Sequence, residues 1–210
     1  MSTRRALAQQ LGVVAGFDSP SVALEQYPTP PEVAASLIHV ADMEGDVADR
    51  TVVDLGTGTG MLALGAALRG ARRVVGVDVD RDALGTAREN ERRIGANATI
   101  HWCCADATRP PLCPATDDPV TVVMNPPFGA QRDNVHADRA FLDAAAGIAD
   151  VSYSIHNGGS REFVESFADD EGGEVTHAFA AELDLDRQFD FHDEETKTID
   201  TEVFRIEWSG

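Results

Sequence analysis

The sequence predicts an α/β fold in which a doubly wound sheet of seven strands is mostly parallel and ends in an antiparallel C-terminal hairpin. Strand-like and helix-like segments alternate between residues 51 and 170, which is typical of a parallel sheet with helices on both faces. A glycine-rich stretch follows the first strand, where such folds bind their ligands. The last two strands follow one another without a helix between them, which indicates a hairpin.

The N-terminal half begins with a short helix, which we expect from about Ser2 to Leu11, ended by Gly12. PPEVAASLIHVADME starts with proline and has apolar residues at helical spacing, so it predicts a second helix. TVVDLG is predicted to be a buried strand, TGMLALGAALRGA a helix and RRVVGVDVD a second strand. Asp80 then caps the helix RDALGTARENERRIG, which ends at Gly95.

The C-terminal half continues the alternation. ATIHWCCAD and PVTVVMN are predicted strands, HADRAFLDAAAGIA is a helix, VSYSI is a strand and SREFVESFADD is a helix. EVTHAFAAELDL and TEVFRIEW are the final strands, and we expect Phe204 and Trp208 in the core or at a partner surface. Tyr153 and His156 are expected to pack rather than to contact a substrate. The long acidic connection DRQFDFHDEETKTID is expected to be a mobile loop.

The composition indicates a globular protein with an unusual charge balance. Hydrophobic residues make up 43% of the chain, and no apolar run is long enough to span a bilayer. The net charge is −19, and Lys197 is the single lysine among 17 basic residues. An acidic surface almost without lysine is typical of a protein from a salt-saturated cytoplasm, where self-repulsion is screened. Cys103, Cys104 and Cys113 have no metal-ligand spacing, and we expect the first two to be buried reduced thiols.

The stretch VVDLGTGTGM predicts a tight, Rossmann-like turn at the ligand crevice, with Gly56, Gly58 and Gly60 bringing the backbone close to a ligand. Asp78 ends the next predicted strand, 18 residues after Gly60, where a carboxylate can accept both ribose hydroxyls. The pattern is G-x-G-x-G rather than the G-x-G-x-x-G of nicotinamide sites. Asp54, just before the glycines, suits a cationic ligand, and S-adenosylmethionine carries both an amine and a sulfonium.

Asp106 ends the third predicted strand at the same crevice. A carboxylate at this place could accept a hydrogen bond from an adenine amino group. A helix cap or a solvated acid is the alternative, and it stays open in so acidic a protein.

The motif NPPF, residues 125–128, ends the fourth predicted strand. The side-chain oxygen of Asn125 and the carbonyl of Pro126 can accept both hydrogens of a planar NH₂ group. Pro126 and Pro127 restrict the loop, and Phe128 offers an aromatic face for a flat substrate. Fixed acceptors stabilise the positive charge that develops on nitrogen during transfer. The motif therefore predicts N-methyl transfer without a metal, and a stiff structural turn is the alternative.

Residues 54–60 and 125–128 together resemble the class I S-adenosylmethionine-dependent N-methyltransferases. LEQYPTPPEVAASL and YSIHNGGSREFVE are similar to segments of the methyltransferase-like 5 family, which methylates one adenine N6 in small-subunit ribosomal RNA. The resemblance covers about Leu24 to Trp208. It implies one methyltransferase domain over 1–210, in which 1–49 form an N-terminal helical cofactor lid and 50–210 form the core. The halophile-like composition indicates an archaeal, halophilic member.

The resemblance also implies roles for single residues. Gln26 and Thr29 would close over the methionine end of the cofactor, Asp78 would hold its ribose and Asp106 its adenine edge. The glycine turn would line the cofactor through Gly56, Gly58, Thr59, Gly60 and Met61, next to Asp54. The residues that would grip the target base are Asn125, Pro126, Pro127 and Phe128. A small zinc-binding activator subunit would be a partner, forming a heterodimer.

Some features depart from the family pattern. The loop AQRDNVHADR contains acidic residues where the family has lysines, and a charge of −19 is unfavourable for contacts with phosphate. Arg4, Arg5, Arg132, Arg139 and Arg161 are candidate phosphate contacts, although surface salt bridges are an equal alternative. Glutamine-N5 methylation of a release factor remains an alternative because the amide NH₂ is also planar. A cofactor-binding ribosome-assembly factor without activity is the third possibility.

The composition leads to a prediction about salt. In dilute buffer we expect the isolated chain to fold poorly or to aggregate, because its carboxylates repel one another without screening. Molar salt or a bound partner should restore folding. Circular dichroism and denaturant unfolding across a salt series would test this, and equal stability at low and high salt would contradict the halophile interpretation.

Overall fold

The fold is described by a computed structural model, which covers residues 3–96, 98–113, 118–127, 137–186 and 196–209. Seven strands form one sheet in the order β3-β2-β1-β4-β5-β7-β6. The strands are β1 Thr51–Leu55, β2 Arg73–Asp78, β3 Thr99–Cys104, β4 Val120–Met124, β5 Val151–Asn157, β6 Gly173–Asp186 and β7 Thr196–Trp208. The helices are α1 Arg4–Leu11, α2 Pro31–Met43, α3 Met61–Leu68, α4 Arg81–Ile94, α5 Ala137–Ala146 and α6 Arg161–Asp170.

The strand directions confirm the predicted fold class. Strands β1 to β5 pair in parallel, whereas β7 pairs antiparallel with both β5 and β6. Adjacent residues of β1 point to opposite faces, because Val52 belongs to one apolar cluster and Val53 to the other. The first cluster packs under α1, α2 and α3, and the second under α5 and α6. Helices on both faces leave every residue of β1 and β4 buried, including the polar residues Thr51, Asp54 and Thr121.

The predicted elements are confirmed with small differences at their ends. Helix α1 starts at Arg4 rather than Ser2, because the Thr3 hydroxyl accepts a hydrogen bond from the Ala6 backbone N–H at 3.2 Å and caps the helix. A short 3-10 helix, Val22–Leu24, was not predicted, since three residues give no periodic signal. Among the residues that the structure describes, no helix combines the length and apolarity needed to cross a bilayer.

Two expectations were wrong. The connection 186–200 was expected to be a loop, but 196–200 continue β7 and pair with 182–186 of β6, while 187–195 lie outside the described residues. Cys104 is exposed rather than buried, and Cys103 is partly exposed. Both belong to β3, which is at the edge of the sheet, so their strand has a neighbour on one side only. Of the two positions expected for Phe204 and Trp208, the structure shows the core.

A buried polar cluster joins the turn after α2 to the antiparallel part of the sheet. The Tyr153 hydroxyl donates to Asp46 Oδ2 at 2.7 Å, and Arg205 Nε donates to the same oxygen at 2.9 Å. Arg205 also bonds Glu207 at 2.6 Å. Burial and the neighbouring Asp46 carboxylate raise the pKa of Tyr153, so its hydroxyl keeps its proton. The cluster fixes β5 and β7 against the turn that follows α2.

Asp46→Ala should destabilise the protein more than an ordinary surface change. It removes the buried carboxylate opposite Arg205, and breaking a buried ion pair costs about 3–5 kcal/mol. Asp169→Ala, at an exposed position near the end of α6, is the matched control and should change the free energy of unfolding by about 0.5 kcal/mol or less. Denaturant unfolding of the two variants in the same salt would measure the difference, and equal effects would show that the cluster is not stabilising.

Candidate active site

The carboxyl ends of β1, β2 and β4 meet at one edge of the sheet, where they border a cavity of about 550 Å³. Ten of the predicted site residues line it: Gln26, Thr29, Gly56, Gly58, Thr59, Met61, Asp78, Asp106, Asn125 and Pro127. Asp54, Gly60 and Pro126 are close in sequence but do not line the cavity. Phe128 lies outside the described residues.

The glycine turn uses conformations that favour glycine. Gly56, Gly58 and Gly60 have φ values of 70°, 53° and 92°. A Cβ atom on Gly58 would lie 2.9 Å from the Phe17 ring, and one on Gly60 would lie 2.9 Å from the Trp102 ring. Glycine is therefore required here both for backbone conformation and for packing.

Asp78 connects the end of β2 to the glycine turn. Its Oδ2 accepts a hydrogen bond from the Gly58 N–H at 2.7 Å, and its Oδ1 accepts one from the Asp80 N–H at 2.8 Å. Burial raises its pKa although both bonds favour the charged form. Because each carboxylate oxygen has two lone pairs, the side chain can still accept ligand hydroxyls at the cavity wall.

Asp54 lies beneath the glycine turn rather than in the cavity. It is 2% exposed, and its Oδ2 accepts hydrogen bonds from the Thr57 hydroxyl at 2.7 Å and the Ala63 N–H at 2.9 Å. Burial is the main cause that raises its pKa to about 7, and the nearby Asp78 adds to the increase. Asp54 therefore braces the glycine turn against α3.

Residues 21–29, which we call the strap, cross the cavity and close one side of it. Gln26 fixes the strap to the core. Its Oε1 accepts from the Ser21 N–H at 2.7 Å, and its Nε2 donates to Asp80 Oδ2 at 2.7 Å. This bond is also the main cause that lowers the pKa of Asp80. The amide of Gln26 thus holds the strap in place, and sequence reasoning had assigned it only to the ligand.

Asn125 follows β4 and is bonded at one end of its amide. Nδ2 donates to the Thr29 hydroxyl oxygen at 2.9 Å. Oδ1 is buried and has no hydrogen-bond partner in the described part of the chain. Because buried acceptors are nearly always paired, this oxygen is an acceptor that suits a donor brought by a ligand.

Asp106 is exposed at the opposite wall. Its Oδ1 accepts from both the backbone N–H and the hydroxyl of Thr108, at 2.9 and 2.7 Å. The Thr108 hydroxyl bond is the largest of the causes that lower its pKa. These bonds stabilise a turn rather than the start of a helix, and the exposed position of Asp106 fits the solvated-acid alternative. Asp106 still lines the cavity.

Asn90 is a site-supporting residue that sequence reasoning missed. It is fully buried in α4, and its amide bonds the Ala15 N–H and C=O and the Thr59 C=O at 2.9 to 3.0 Å. It thereby joins the N-terminal segment to the glycine turn. A polar residue within the helical pattern at Ala83, Leu84 and Ala87 was the only available signal.

Tyr153 and His156 pack in the interior, as expected. His156 is 2% exposed, it lies 2.8 Å from the Ser154 hydroxyl, and its ring contacts Phe204 edge-on. Burial lowers the pKa of His156 to about 4, so the ring is neutral near pH 7. Neither residue is among those that line the cavity.

Known proteins resemble both the sequence and the fold. A family model for ribosomal protein L11 methyltransferase (PrmA) matches residues 35–116. An uncharacterised protein of Methanocaldococcus jannaschii is 35% identical, over 100% of this chain and 96% of its own. The rRNA N(6)-adenosine-methyltransferase Mettl5 of Drosophila melanogaster is 33% identical, over 97% of this chain and 95% of its own. The crystal structure of PH1948, a candidate RNA methyltransferase from Pyrococcus horikoshii, has a TM-score of 0.88 and 36% identity, with 100% of both chains covered.

The fold, the glycine turn and these similarities define the chain as a methyltransferase. The match to the L11 methyltransferase model ends at residue 116, so it covers the glycine turn and does not reach Asn125. The similarity to Mettl5 covers both halves. The chain belongs to the rRNA N(6)-adenosine-methyltransferase family that includes the Drosophila protein.

The raised pKa of Asp54 predicts a pH dependence of stability. Between pH 4 and 7 the folded protein keeps the Asp54 proton that the unfolded chain has lost, because the pKa is about 7 when folded. The unfolded state therefore binds fewer protons, and stability should fall as pH rises through this range, by up to roughly 4 kcal/mol from this residue.

Asp54→Asn should remove this contribution, because the amide oxygen can accept the same two hydrogen bonds without a charge. The difference in unfolding free energy between variant and wild type should rise in favour of the variant from pH 4 to pH 7. Comparing two proteins at each pH cancels the other titrating groups. A difference that stays constant across the range would refute the raised pKa.

Proposed function

We propose that the chain is an S-adenosylmethionine-dependent methyltransferase that transfers a methyl group to the exocyclic N6 of an adenine in small-subunit ribosomal RNA. The family supports adenine N6 in RNA as the atom that receives the methyl group. The observation that carries the proposal is the buried, unpartnered Oδ1 of Asn125 at the wall of the same cavity as the glycine turn. An amino group is the donor that this acceptor fits.

The residues of the cavity fit the cofactor. The glycine turn brings backbone close to a ligand without side chains in the way, and Asp78 presents a carboxylate for the ribose hydroxyls. Asp78 at the cavity wall and Asp54 buried behind the turn offer carboxyl groups whose charged forms a ligand with an amine and a sulfonium would stabilise. When bound, S-adenosylmethionine supplies a methyl group already activated by its positive sulfur. Gln26, Gly56, Gly58, Thr59 and Met61 complete the proposed cofactor contacts, and Thr29 lies beside them at the cavity wall.

Methyl transfer to the adenine amino group needs neither a metal nor a covalent nucleophile from the enzyme. Asn125 Oδ1 and the Pro126 carbonyl accept the two hydrogens of the adenine amino group and hold its nitrogen in one place. In this geometry the nitrogen lone pair, which is normally delocalised into the ring, becomes available for the methyl group. The acceptors stabilise the positive charge that forms on the nitrogen as it takes the methyl group from sulfur, which keeps the bonding electrons and leaves as a neutral thioether. The amine then loses one proton to solvent water. Pro127 and Phe128 complete the proposed grip on the base.

The charge of the chain favours recognition of RNA shape and of an extruded base over many phosphate contacts. Arg161 is bonded to Glu165 at 3.1 Å, Arg4 donates to the Ser36 hydroxyl at 3.3 Å, and Arg139 lies 5.0 Å from the centre of the Phe167 ring. Side chains in such weak exposed contacts can exchange them for phosphates. In strong salt, phosphate contacts contribute little to the RNA affinity of any protein. We place the enzyme in a halophilic archaeal cytoplasm.

A partner protein is a further part of the proposal. The family resemblance supports a small zinc-binding activator subunit, which would form a heterodimer with this chain. A second macromolecular surface could provide the RNA affinity that a chain with a net charge of −19 lacks.

Methyl transfer with labelled S-adenosylmethionine in molar salt tests the function. Ribosomal subunits and release factor are offered separately, and co-purified partners are retained. We expect label on small-subunit RNA as N6-methyladenine. Asn125→Ala should lower the rate by at least about 100-fold, because it removes the proposed acceptor of the amine hydrogen. The control Asn157→Ala changes an asparagine at the end of β5 that does not line the cavity.

Three other outcomes would each change the proposal. Label on release factor instead of RNA would replace adenine N6 with a protein amide as the substrate. Undiminished transfer by Asn125→Ala would remove Asn125 from the catalytic role. No transfer to either substrate, with the cofactor bound and the partners present, would favour a cofactor-binding assembly factor.

A further inference from the structure

We infer that Thr29 is a positioning residue for Asn125: it holds the Asn125 amide in the orientation that directs Oδ1 at the amino group of the substrate. This inference rests on the proposed function, in which Asn125 Oδ1 accepts a hydrogen bond from the substrate amino group. It gives Thr29 a role on the substrate side of the cavity. The family resemblance assigns Thr29 to the cofactor.

The first observation is the asymmetry of the Asn125 amide. Nδ2 is bonded to the Thr29 hydroxyl oxygen at 2.9 Å, whereas Oδ1 is buried without a partner among the described residues. The contact joins residues 96 positions apart in the chain. Thr29 therefore binds the end of the amide that the substrate does not need, and the other end is left for a donor.

The second observation is that Thr29 itself is held firmly. It is 8% exposed and lies between Pro28 and Pro30, which restrict the backbone on both sides. Pro31 begins α2 directly afterwards. On the other side the strap is anchored through the two hydrogen bonds of Gln26. The Thr29 hydroxyl is thus presented from a segment with little freedom.

The chemistry of an amide explains why such a contact is needed. The terminal torsion of asparagine has a broad, roughly two-fold profile, so the oxygen and the NH₂ group can exchange places at low cost. In the exchanged orientation Nδ2 would face the substrate amine, and two donors would oppose each other. A hydroxyl oxygen accepts the Nδ2 hydrogen in the productive orientation and keeps the plane of the amide fixed.

This role differs measurably from a cofactor contact. A residue that binds only the cofactor changes cofactor affinity, and its loss is overcome at saturating cofactor. A residue that orients Asn125 changes kcat at saturating cofactor and RNA, because the acceptor is misplaced in the transition state. A displacement of about 1 Å at a reacting centre can cost on the order of 100-fold in rate.

The experiment compares Thr29→Val, Thr29→Ser and wild type, with Thr86→Val in α4 as a control for loss of a threonine hydroxyl elsewhere. Valine keeps the shape of threonine and removes the acceptor, whereas serine keeps the acceptor. We expect Thr29→Val to lower kcat roughly 10- to 100-fold. Its dissociation constant for S-adenosylmethionine, measured by calorimetry, should stay within about twofold of wild type. Thr29→Ser should recover most of the lost rate.

A spectroscopic readout makes the test independent of the substrate. The ¹H–¹⁵N signals of the Asn125 side-chain amide are assigned by their absence in Asn125→Ala. They should shift in Thr29→Val and return toward their wild-type positions in Thr29→Ser. If wild type transfers no methyl to RNA, the proposed function fails, and these signals still decide whether Thr29 positions the amide.

Three results would overturn the inference. One is a Thr29→Val variant with weakened cofactor binding and a normal kcat at saturation, which would make Thr29 a cofactor contact. Another is a kcat loss that Thr29→Ser does not rescue, or that Thr86→Val reproduces. The third is an unchanged Asn125 amide signal in Thr29→Val.

Discussion

The parallel register of β1 with its two neighbours is the constraint on which the site depends. Leu55, the last residue of β1, lies opposite Val77 of β2 and Met124 of β4. The segments that follow these strands must therefore leave the sheet at the same edge. Both faces of the sheet are covered by helices, so the edge is the place where a ligand can reach the backbone. The glycine turn, Asp78 and Asn125 come together for this single geometric reason.

The electrostatics of the site follow from how this edge is packed. Two carboxylates, Asp54 and Asp78, are buried on either side of the glycine turn, and each accepts hydrogen bonds from it or from the helix after it. Burial opposes their charge, and the pKa values of both are raised. A cationic ligand would stabilise the charged forms, whereas a diphosphate would oppose them. The buried carboxyl groups around the turn are therefore compatible with a cationic sulfonium cofactor.

The sequence predicted those features that depend on local patterns. Alternating apolar segments, helix caps such as Asp80 and the residues of the glycine turn all have short-range signals, so the order of elements and the fold class were predicted. Contacts between distant residues have no such signal. The bond between Thr29 and Asn125 and the bonds of Asn90 to Ala15 depend on how the N-terminal segment packs. The start of β7 was missed because residues 196–200 contain a single apolar residue, Ile199, and so show no strand pattern. Pairing with β6 makes them a strand.

The strap explains why a methyltransferase core alone does not define the substrate. At one end Gln26 bonds Asp80, which caps α4 next to the proposed ribose carboxylate. At the other end Thr29 bonds Asn125, the proposed acceptor. One segment of nine residues therefore connects the side of the cavity proposed for the cofactor to the side proposed for the substrate base. The L11 methyltransferase model covers 35–116 and includes neither the strap nor Asn125. The residues proposed to bind and orient the substrate base, Asn125 and Thr29, therefore lie on either side of the segment that the model matches, which would let chains with this core act on different substrates.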